Sequence, residues 1–399
     1  MEKKKTTWTK TRHRVITALV RPVLAPYCWL RYHIHVEKFR EQGNRPYLIL
    51  YNHQTGFDQF FVALAFRGPV YYLATEDIFS LGWISTLLRW LVAPIPIRKQ
   101  TTDITAVMNC IKVAREGGSL CIAPEGNRTY SGRTEYMSDS IASLAKKLKR
   151  PIALYRIEGG YGVQPRWSDV RRKGRMKAYV SCVLEPEEYK SLSNEELYQR
   201  ICKELYQNEA NSQGTFVHKK SAEYIERVLY VCPHCGITHF ESNGETFRCT
   251  SCGRSAKYLP NKEISGDFSF RYMLDWYEYQ EDYINQLNTA ELTQAPLIKD
   301  TCSLYSVELY KGKRCLGEHV ELALYGDRIE VSGDFRETFP FADVETITIL
   351  GKNKLDIYYH DMVYQIQSDK RFNALKYLNL YHRYKNLTTE VENGSFLGL

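Results

Sequence analysis

Short apolar runs alternate with longer, helix-compatible stretches through the first half of the chain, and the period changes after position 300. Segments 47–51, 70–74, 119–123 and 151–155 are short and mostly apolar, which predicts buried strands. Between them lie stretches at helical period: 58–65, stopped by Gly68-Pro69, 78–91, and a segment capped by Thr102 or Asp103 that runs to about Arg115 and ends at Gly117-Gly118. A further helix is expected at 138–148, a strand at 176–183, and a closing helix at 193–207 whose start, Ser193-Asn194-Glu195-Glu196, matches a capping box. Strand–helix alternation of this kind predicts an α/β domain with a mixed, largely parallel sheet, which builds its sites in the loops at the strand C-termini.

The second half reads differently. Segment 267–287 places Phe270, Met273, Leu274 and Tyr277 at i, i+3, i+4 and i+7, predicting an amphipathic helix that links two modules; Phe268, Phe270, Tyr272, Leu274 and Trp276 also alternate as in a strand, and the length and later polar residues favour the helix. From about 301 the period drops toward two, with strands expected at 319–325, 328–331, 335–339, 344–350, 355–359 and 363–367 and a turn at Gly326-Asp327. Segment 369–385 then carries Phe372, Leu375, Leu378 and Tyr381 on one helical stripe. An antiparallel β domain closed by one C-terminal helix looks like the pleckstrin-homology or GRAM-like superfold, an architectural likeness that implies lipid or protein binding or a solubilising module.

With 399 residues, 44% hydrophobic and 25% charged, the chain has room for two or three folded domains. Much of its net charge of +8 is local, since residues 1–21 hold Lys3, Lys4, Lys5, Lys10, Arg12, Arg14 and Arg21 against Glu2 alone. A basic arm beside an apolar segment suits an anionic membrane surface, and a solvated tail is the plainer alternative. Segment 15–30 contains Arg21, Pro22 and Pro26, and 78–97 is split by Arg89 and punctuated by Pro94 and Pro96. Neither is an uninterrupted span, so both are expected to lie in the membrane interface or in the core. No secretory signal is visible, and the odd count of 11 cysteines does not describe a disulfide framework.

Two constellations carry chemistry. His53 and Asp58 stand five positions apart after a strand. Five residues on one helix diverge by about 140°, so the side chains meet only if His53 sits in the loop and Asp58 on the first helical turn. Asp58 then fixes the imidazole tautomer and leaves the other nitrogen to take a proton from a hydroxyl supplied by a substrate. Cys232-Pro233-His234-Cys235 and Cys249-Thr250-Ser251-Cys252 are two C-x-x-C pairs with 13 residues between them, which reads as a zinc ribbon, one closed four-thiolate Zn²⁺ site. His234 and His239 are not needed as ligands. A structural staple is the plain role; docking is the alternative, and nothing basic or aromatic nearby favours nucleic acid.

Asn52-His53…Asp58, Arg98 after a Pro-Ile piece, Glu125-Gly126-Asn127-Arg128-Thr129, and Pro151-Ile152 on a strand follow the order and spacing of the four sequence blocks of glycerolipid acyltransferases. Over roughly its first half the chain resembles that superfamily, typified by 1-acyl-glycerol-3-phosphate acyltransferase. The resemblance implies acyl transfer from an acyl thioester, acyl-CoA or acyl carrier protein, to a lysophospholipid hydroxyl in phospholipid biosynthesis. It makes His53 the general base and Asp58 its orienting partner. It also makes Asn52, Arg98, Glu125, Gly126, Asn127, Arg128 and Thr129 the acceptor-binding set. Thr55 stands where the family often has serine, Ile97 where it commonly has aspartate, and Asn127 and Thr129 replace a frequent Thr and Ser. These changes leave the chemistry intact and bear on the acceptor.

The expected layout is a basic arm with interface helices (1–40), an acyltransferase domain (41–215), a zinc ribbon (216–262), a helical linker (263–300), the β domain (301–388) and a tail (389–399). Gly159-Gly160-Tyr161-Gly162 is expected to be flexible. The cluster that follows it, Arg166, Arg171, Arg172, Lys173, Arg175 and Lys177, is expected to meet phosphates, an acidic carrier protein or a membrane, or to be a solvated loop. The expected location is the cytoplasmic face of the cell membrane, peripheral or monotopic. A non-enzymatic adaptor with a degenerate acyltransferase fold and a thioester hydrolase are the competing functions.

Overall fold

In the computed structural model, residues 7–79, 82–97, 103–308 and 312–388 are described. They form two compact units. The first comprises residues 1–129, 133–163 and 173–209, and the second 130–132, 164–172 and 210–399.

The first unit runs α1 (Thr11–Tyr32), β1 (Ile34–Val36), β2 (Leu48–Tyr51), α2 (Asp58–Ala65), β3 (Val70–Thr75), α3 (Glu76–Phe79), α4 (Trp83–Val92), β4 (Ile95–Ile97), α5 (Ile104–Arg115), β5 (Ser119–Ile122), α6 (Ser140–Leu148), β6 (Ile152–Glu158), α7 (Gly160–Val163), β7 (Met176–Leu184), α8 (Pro186–Tyr189) and α9 (Asn194–Leu205). Its strands form one sheet in the order β1-β7-β6-β2-β5-β3-β4. The run from β6 to β4 is parallel throughout, and β7 joins it antiparallel. Strands buried on both faces read as near-continuous apolar runs, as β2 does throughout, β5 does after Ser119 and β6 does over Ile152–Tyr155. Leu48, Leu50, Leu120, Ile152 and Leu154 pack under Val113, Ala145 and Ile201 from the covering helices. Local signals set the helix ends: the Asp103 side chain accepts from Ala106 N at 2.9 Å, and Ser193 and Glu196 make the capping box. Thr102, the other cap considered, lies outside the described residues.

The basic arm is docked from Thr9 onward. Thr9 N donates to Glu116 Oε2 at 2.8 Å, His13 Nδ1 lies 3.0 Å from Tyr71 OH, and Arg12 Nε donates to Trp90 O. A solvated tail is therefore excluded for Thr9–Arg14; Lys3, Lys4 and Lys5 lie outside the described residues.

The second unit continues with β8 (Val231–Cys232), β9 (Gly236–Ile237), β10 (Phe240–Asn243), β11 (Thr246–Cys249), β12 (Ser255–Tyr258), β13 (Ile264–Gly266), α10 (Met273–Gln286), β14 (Ile298–Glu308), β15 (Gly312–Leu324), β16 (Arg328–Gly333), β17 (Glu337–Pro340), β18 (Thr346–Leu350), β19 (Lys354–Tyr359), β20 (Met362–Gln367) and α11 (Leu375–Thr388). The last seven strands form an antiparallel sheet in the order β17-β16-β15-β14-β20-β19-β18, closed by α11. Alternation did not mark β14 as a separate strand, and it placed the start of β15 too late.

Two helices begin later than their hydrophobic stripes suggest. Segment 267–272 is not helical but bends back on β13, with Ile264 N bonded to Arg271 O. Phe268 and Phe270 thus pack on Trp276 from outside α10, at ring distances of 4.6 and 4.8 Å. Residues ahead of α11 turn so that Asn373 can cap it, accepting from Lys376 N at 3.2 Å. Nor is α10 a spacer. Its Trp276 is fully buried and donates to Val231 O, while Gln280 Oε1 takes the amides of Tyr230 and Val231. Ribbon, α10 and β sheet share one core.

Two members of the basic cluster are structural. Arg166 bonds Gly351 O and Ile349 O and stacks on Tyr130, and Arg172 bonds Ser221 O between Trp167 and Tyr258. Both are buried, so neither meets a phosphate or a carrier protein. Lys177 pairs with Glu37 at 2.9 Å.

Candidate active site

Three loops leave the C-terminal ends of adjacent parallel strands: Asn52–Phe57 after β2, Ala123–Thr129 after β5, and Gly159 into α7 after β6. The first ends in the N-terminus of α2, so His53 lies in the loop and Asp58 on the first helical turn. His53 Nδ1 is 2.8 Å from Asp58 Oδ2. A carboxylate only accepts, so Nδ1 carries the hydrogen and the lone pair lies on Nε2. The His53 side chain is 21% exposed and Asp58 is fully buried, so the imidazole faces solvent and its partner does not.

Asp58 does more than orient the ring. It also accepts from Gln54 N at 2.6 Å, Thr55 N at 2.9 Å and Thr55 Oγ1 at 2.6 Å. Thr55 therefore supplies a hydroxyl that holds the carboxylate, which a serine would also do. Glu125 is 8% exposed, and its two oxygens accept from His53 N at 2.8 Å and Glu135 N at 2.9 Å. Burial pushes its carboxyl up to about 8, with the two amides pulling the other way. Asn52 is fully buried and bridges to β6, bonding Ile157 O and Ile157 N. Gly126 has φ +66°, a backbone conformation that favours glycine, and is exposed at the loop tip beside half-buried Asn127 and Arg128 and buried Thr129. Of the acceptor-binding set, Asn52 and Glu125 are thus committed to backbone groups. Arg98 follows β4 and lies outside the described residues; β4 stands three strand spacings from β2, about 14 Å.

The glycine run expected to be flexible is instead the buried back wall of the site. A Cβ on Gly160 would lie 2.5 Å from Gln54 Cβ and 3.2 Å from Thr55 Cγ2, so only glycine admits the loop. Gly159 adopts φ +77° and donates to Glu209 Oε2 at 2.9 Å. Gln54 Oε1 takes Tyr161 N at 3.1 Å. Sequence inspection missed Gln54, Gly160 and Glu209. The glycine run was the one available signal, and nothing local marks Glu209.

The second site lies in the ribbon. Cys232, Cys235, Cys249 and Cys252 have all four sulfurs within 4.8 Å of one another. Cys232–Cys252 and Cys249–Cys235 Sγ distances are 3.9 and 4.0 Å. A tetrahedral ion with metal–sulfur bonds of about 2.3 Å needs sulfurs about 3.8 Å apart, whereas a disulfide needs about 2.05 Å. The set therefore fits a metal ion. Gly236 and Gly253 follow the second cysteine of each pair at φ +74° and +73°, turning the chain back around the site.

Residues 31–157 match the family model Acyltransferase, over the stretch whose four sequence blocks resemble those of glycerolipid acyltransferases. Among solved structures, the 1-acyl-sn-glycerophosphate (LPA) acyltransferase PlsC from Thermotoga maritima is similar over 48% of this chain and 75% of that one, at 18% identity and a TM-score of 0.40. The N-terminal PH domain of human ARAP2 aligns over 23% of this chain and 81% of that one (12% identity, TM-score 0.19). The Vps36 N-terminal PH domain aligns over 26% and 99% (14% identity, TM-score 0.20). No curated protein matches the sequence.

Proposed function

We propose that this acyltransferase moves a fatty acyl group from acyl-CoA or acyl carrier protein to the free hydroxyl of a lysophospholipid, foremost 1-acyl-glycerol-3-phosphate. The hydrogen-bonded His53–Asp58 pair on a strand-end loop carries the proposal. The acceptor hydroxyl gives its proton to His53 Nε2 as its oxygen attacks the thioester carbonyl. Collapse of the tetrahedral intermediate breaks the carbon–sulfur bond, and the imidazolium returns the proton to the departing thiolate. No acyl-enzyme is needed. The loop's own hydroxyl, on Thr55, is buried and donates to Asp58, so it is not placed as a nucleophile. Arg98 and Arg128 are assigned to the acceptor phosphate, because a guanidinium pairs two oxygens at once, with Asn127 and Thr129 beside them. One Zn²⁺ in the cysteine cluster would staple the ribbon.

Incubating the protein with a panel of lysophospholipids and both donor types, read by mass spectrometry, is expected to give phosphatidate and one free thiol per acyl group transferred. Thiol release with free fatty acid and no acylated lipid would make the protein a hydrolase. No reaction with any pair would leave the adaptor.

We further propose that the first unit rests on a membrane surface through α1 and α4. Within α1 the buried residues are His13, Cys28 and Tyr32, while Val15, Leu19, Val23, Tyr27 and Leu30 form an exposed apolar stripe. Trp83, Leu87 and Trp90 are exposed on α4, which meets α1 at the Arg12–Trp90 contact. Among the described residues no helix is long and apolar enough to cross a membrane. Each such side chain is worth about 1.5–3 kcal/mol when fully removed from water. Leu19→Ser with Trp83→Ser is therefore expected to lower vesicle partitioning at least about tenfold, on neutral and anionic vesicles alike. Changing Lys3, Lys4 and Lys5 to Gln is expected to weaken binding to anionic vesicles alone, with the difference shrinking as salt rises. Unchanged partitioning of the first variant would remove the surface from the proposal.

A further inference from the structure

We infer that Glu125 is a positioning residue for His53 and not a ligand of the acyl acceptor; this rests on the acyltransferase reading of the site. Three consecutive amides of the His53 loop are each held by a carboxylate. Glu125 takes His53 N–H, and Asp58 takes Gln54 N–H and Thr55 N–H. Asp58 belongs to the same loop–helix corner, whereas Glu125 reaches across from the loop after the neighbouring strand β5. Its second oxygen takes Glu135 N–H, ten residues further on, and so closes its own loop as well. One buried carboxylate thus joins the loop that bears the base to the loop that bears Asn127 and Arg128.

The imidazole is consequently fixed at two points, the backbone amide of its own residue and Nδ1. Losing the first leaves the ring on Asp58 but frees the pivot from which it swings. A phosphate gains nothing at Glu125: the residue is buried, both its oxygens already face N–H donors, and a carboxyl group offers an anion no cation. The headgroup therefore belongs with the arginines, and the effect of Glu125 passes through His53.

Glu125→Gln keeps the shape but turns an amide NH₂ toward one of the two N–H groups. Displacing a catalytic group by about 1 Å costs about 10²-fold in rate. In this variant kcat is therefore expected to fall about 10–100-fold, with the acceptor KM within about twofold. A KM-against-kcat split of this kind separates positioning from binding. Amide hydrogen exchange, read by mass spectrometry on peptides covering 51–57, is expected to show one amide exchanging at least about tenfold faster than in the wild type. Glu135→Pro removes one anchor and leaves the carboxylate in place; it is expected to shift kcat in the same direction by less, and it decides the matter if Glu125→Gln does not fold. An acceptor KM raised about tenfold at unchanged kcat would overturn the inference, as would unchanged exchange across 51–57. Absence of transfer by the wild type would refute the acyltransferase reading alone, because the exchange measurement still tests the clamp.

Discussion

His53→Ala is expected to lower kcat about 10²–10⁴-fold, the usual worth of a positioned general base, with circular dichroism unchanged. The ring is partly exposed and hydrogen-bonded to Asp58, so its loss opens no core cavity. Asp58→Asn is expected to behave differently. It replaces an acceptor that serves the imidazole, two amides and the Thr55 hydroxyl, so activity and loop order should fall together. A melting temperature lowered in Asp58→Asn but not in His53→Ala is the expected pattern. Wild-type turnover by His53→Ala would remove the mechanism.

Metal removal is expected to have the largest effect on stability. Structural zinc contributes about 10–16 kcal/mol of apparent binding free energy in small zinc domains. Here the ribbon shares its core with α10 and the β sheet through Trp276, Phe247 and Phe268. A strong chelator should therefore lower the melting temperature of the second unit by more than about 10 °C, since about 1 kcal/mol moves a domain of this size by 2–4 °C. Elemental analysis should find one zinc per chain. Cys232 and Cys249 are buried while Cys235 and Cys252 are exposed, so alkylation should reach the exposed pair first once the ion is gone. A protein purified without zinc, melting identically with and without chelator, would refute the site.

Much of this was legible locally. Five strands of the first sheet, the helices between them, the Ser193 capping box and the two cysteine pairs follow from short-range pattern, because burial on both faces, helix capping and tetrahedral thiolate spacing each constrain a few neighbouring residues. The His–Asp spacing likewise implied its own corner. The part of the site that sequence could not show is built by contacts between residues far apart in the chain. Glu125 holds His53 across 72 positions, Asn52 bonds Ile157 across 105, and Glu209 meets Gly159 across 50. Gly160, expected to flex, is fixed by the side chains it abuts.

The sequence by itself singled out the candidate base, its partner and the four cysteines, since these are properties of residue type at close spacing. Only the tertiary structure decided what the surrounding charges do. Glu125 looked like part of a polar substrate loop and is a buried clamp; Arg166 and Arg172 looked like an anion-binding cluster and are buried on carbonyl oxygens. The physical reason is that a charged side chain in a sequence does not state whether water or a backbone group will satisfy it, and that choice is made when distant segments pack.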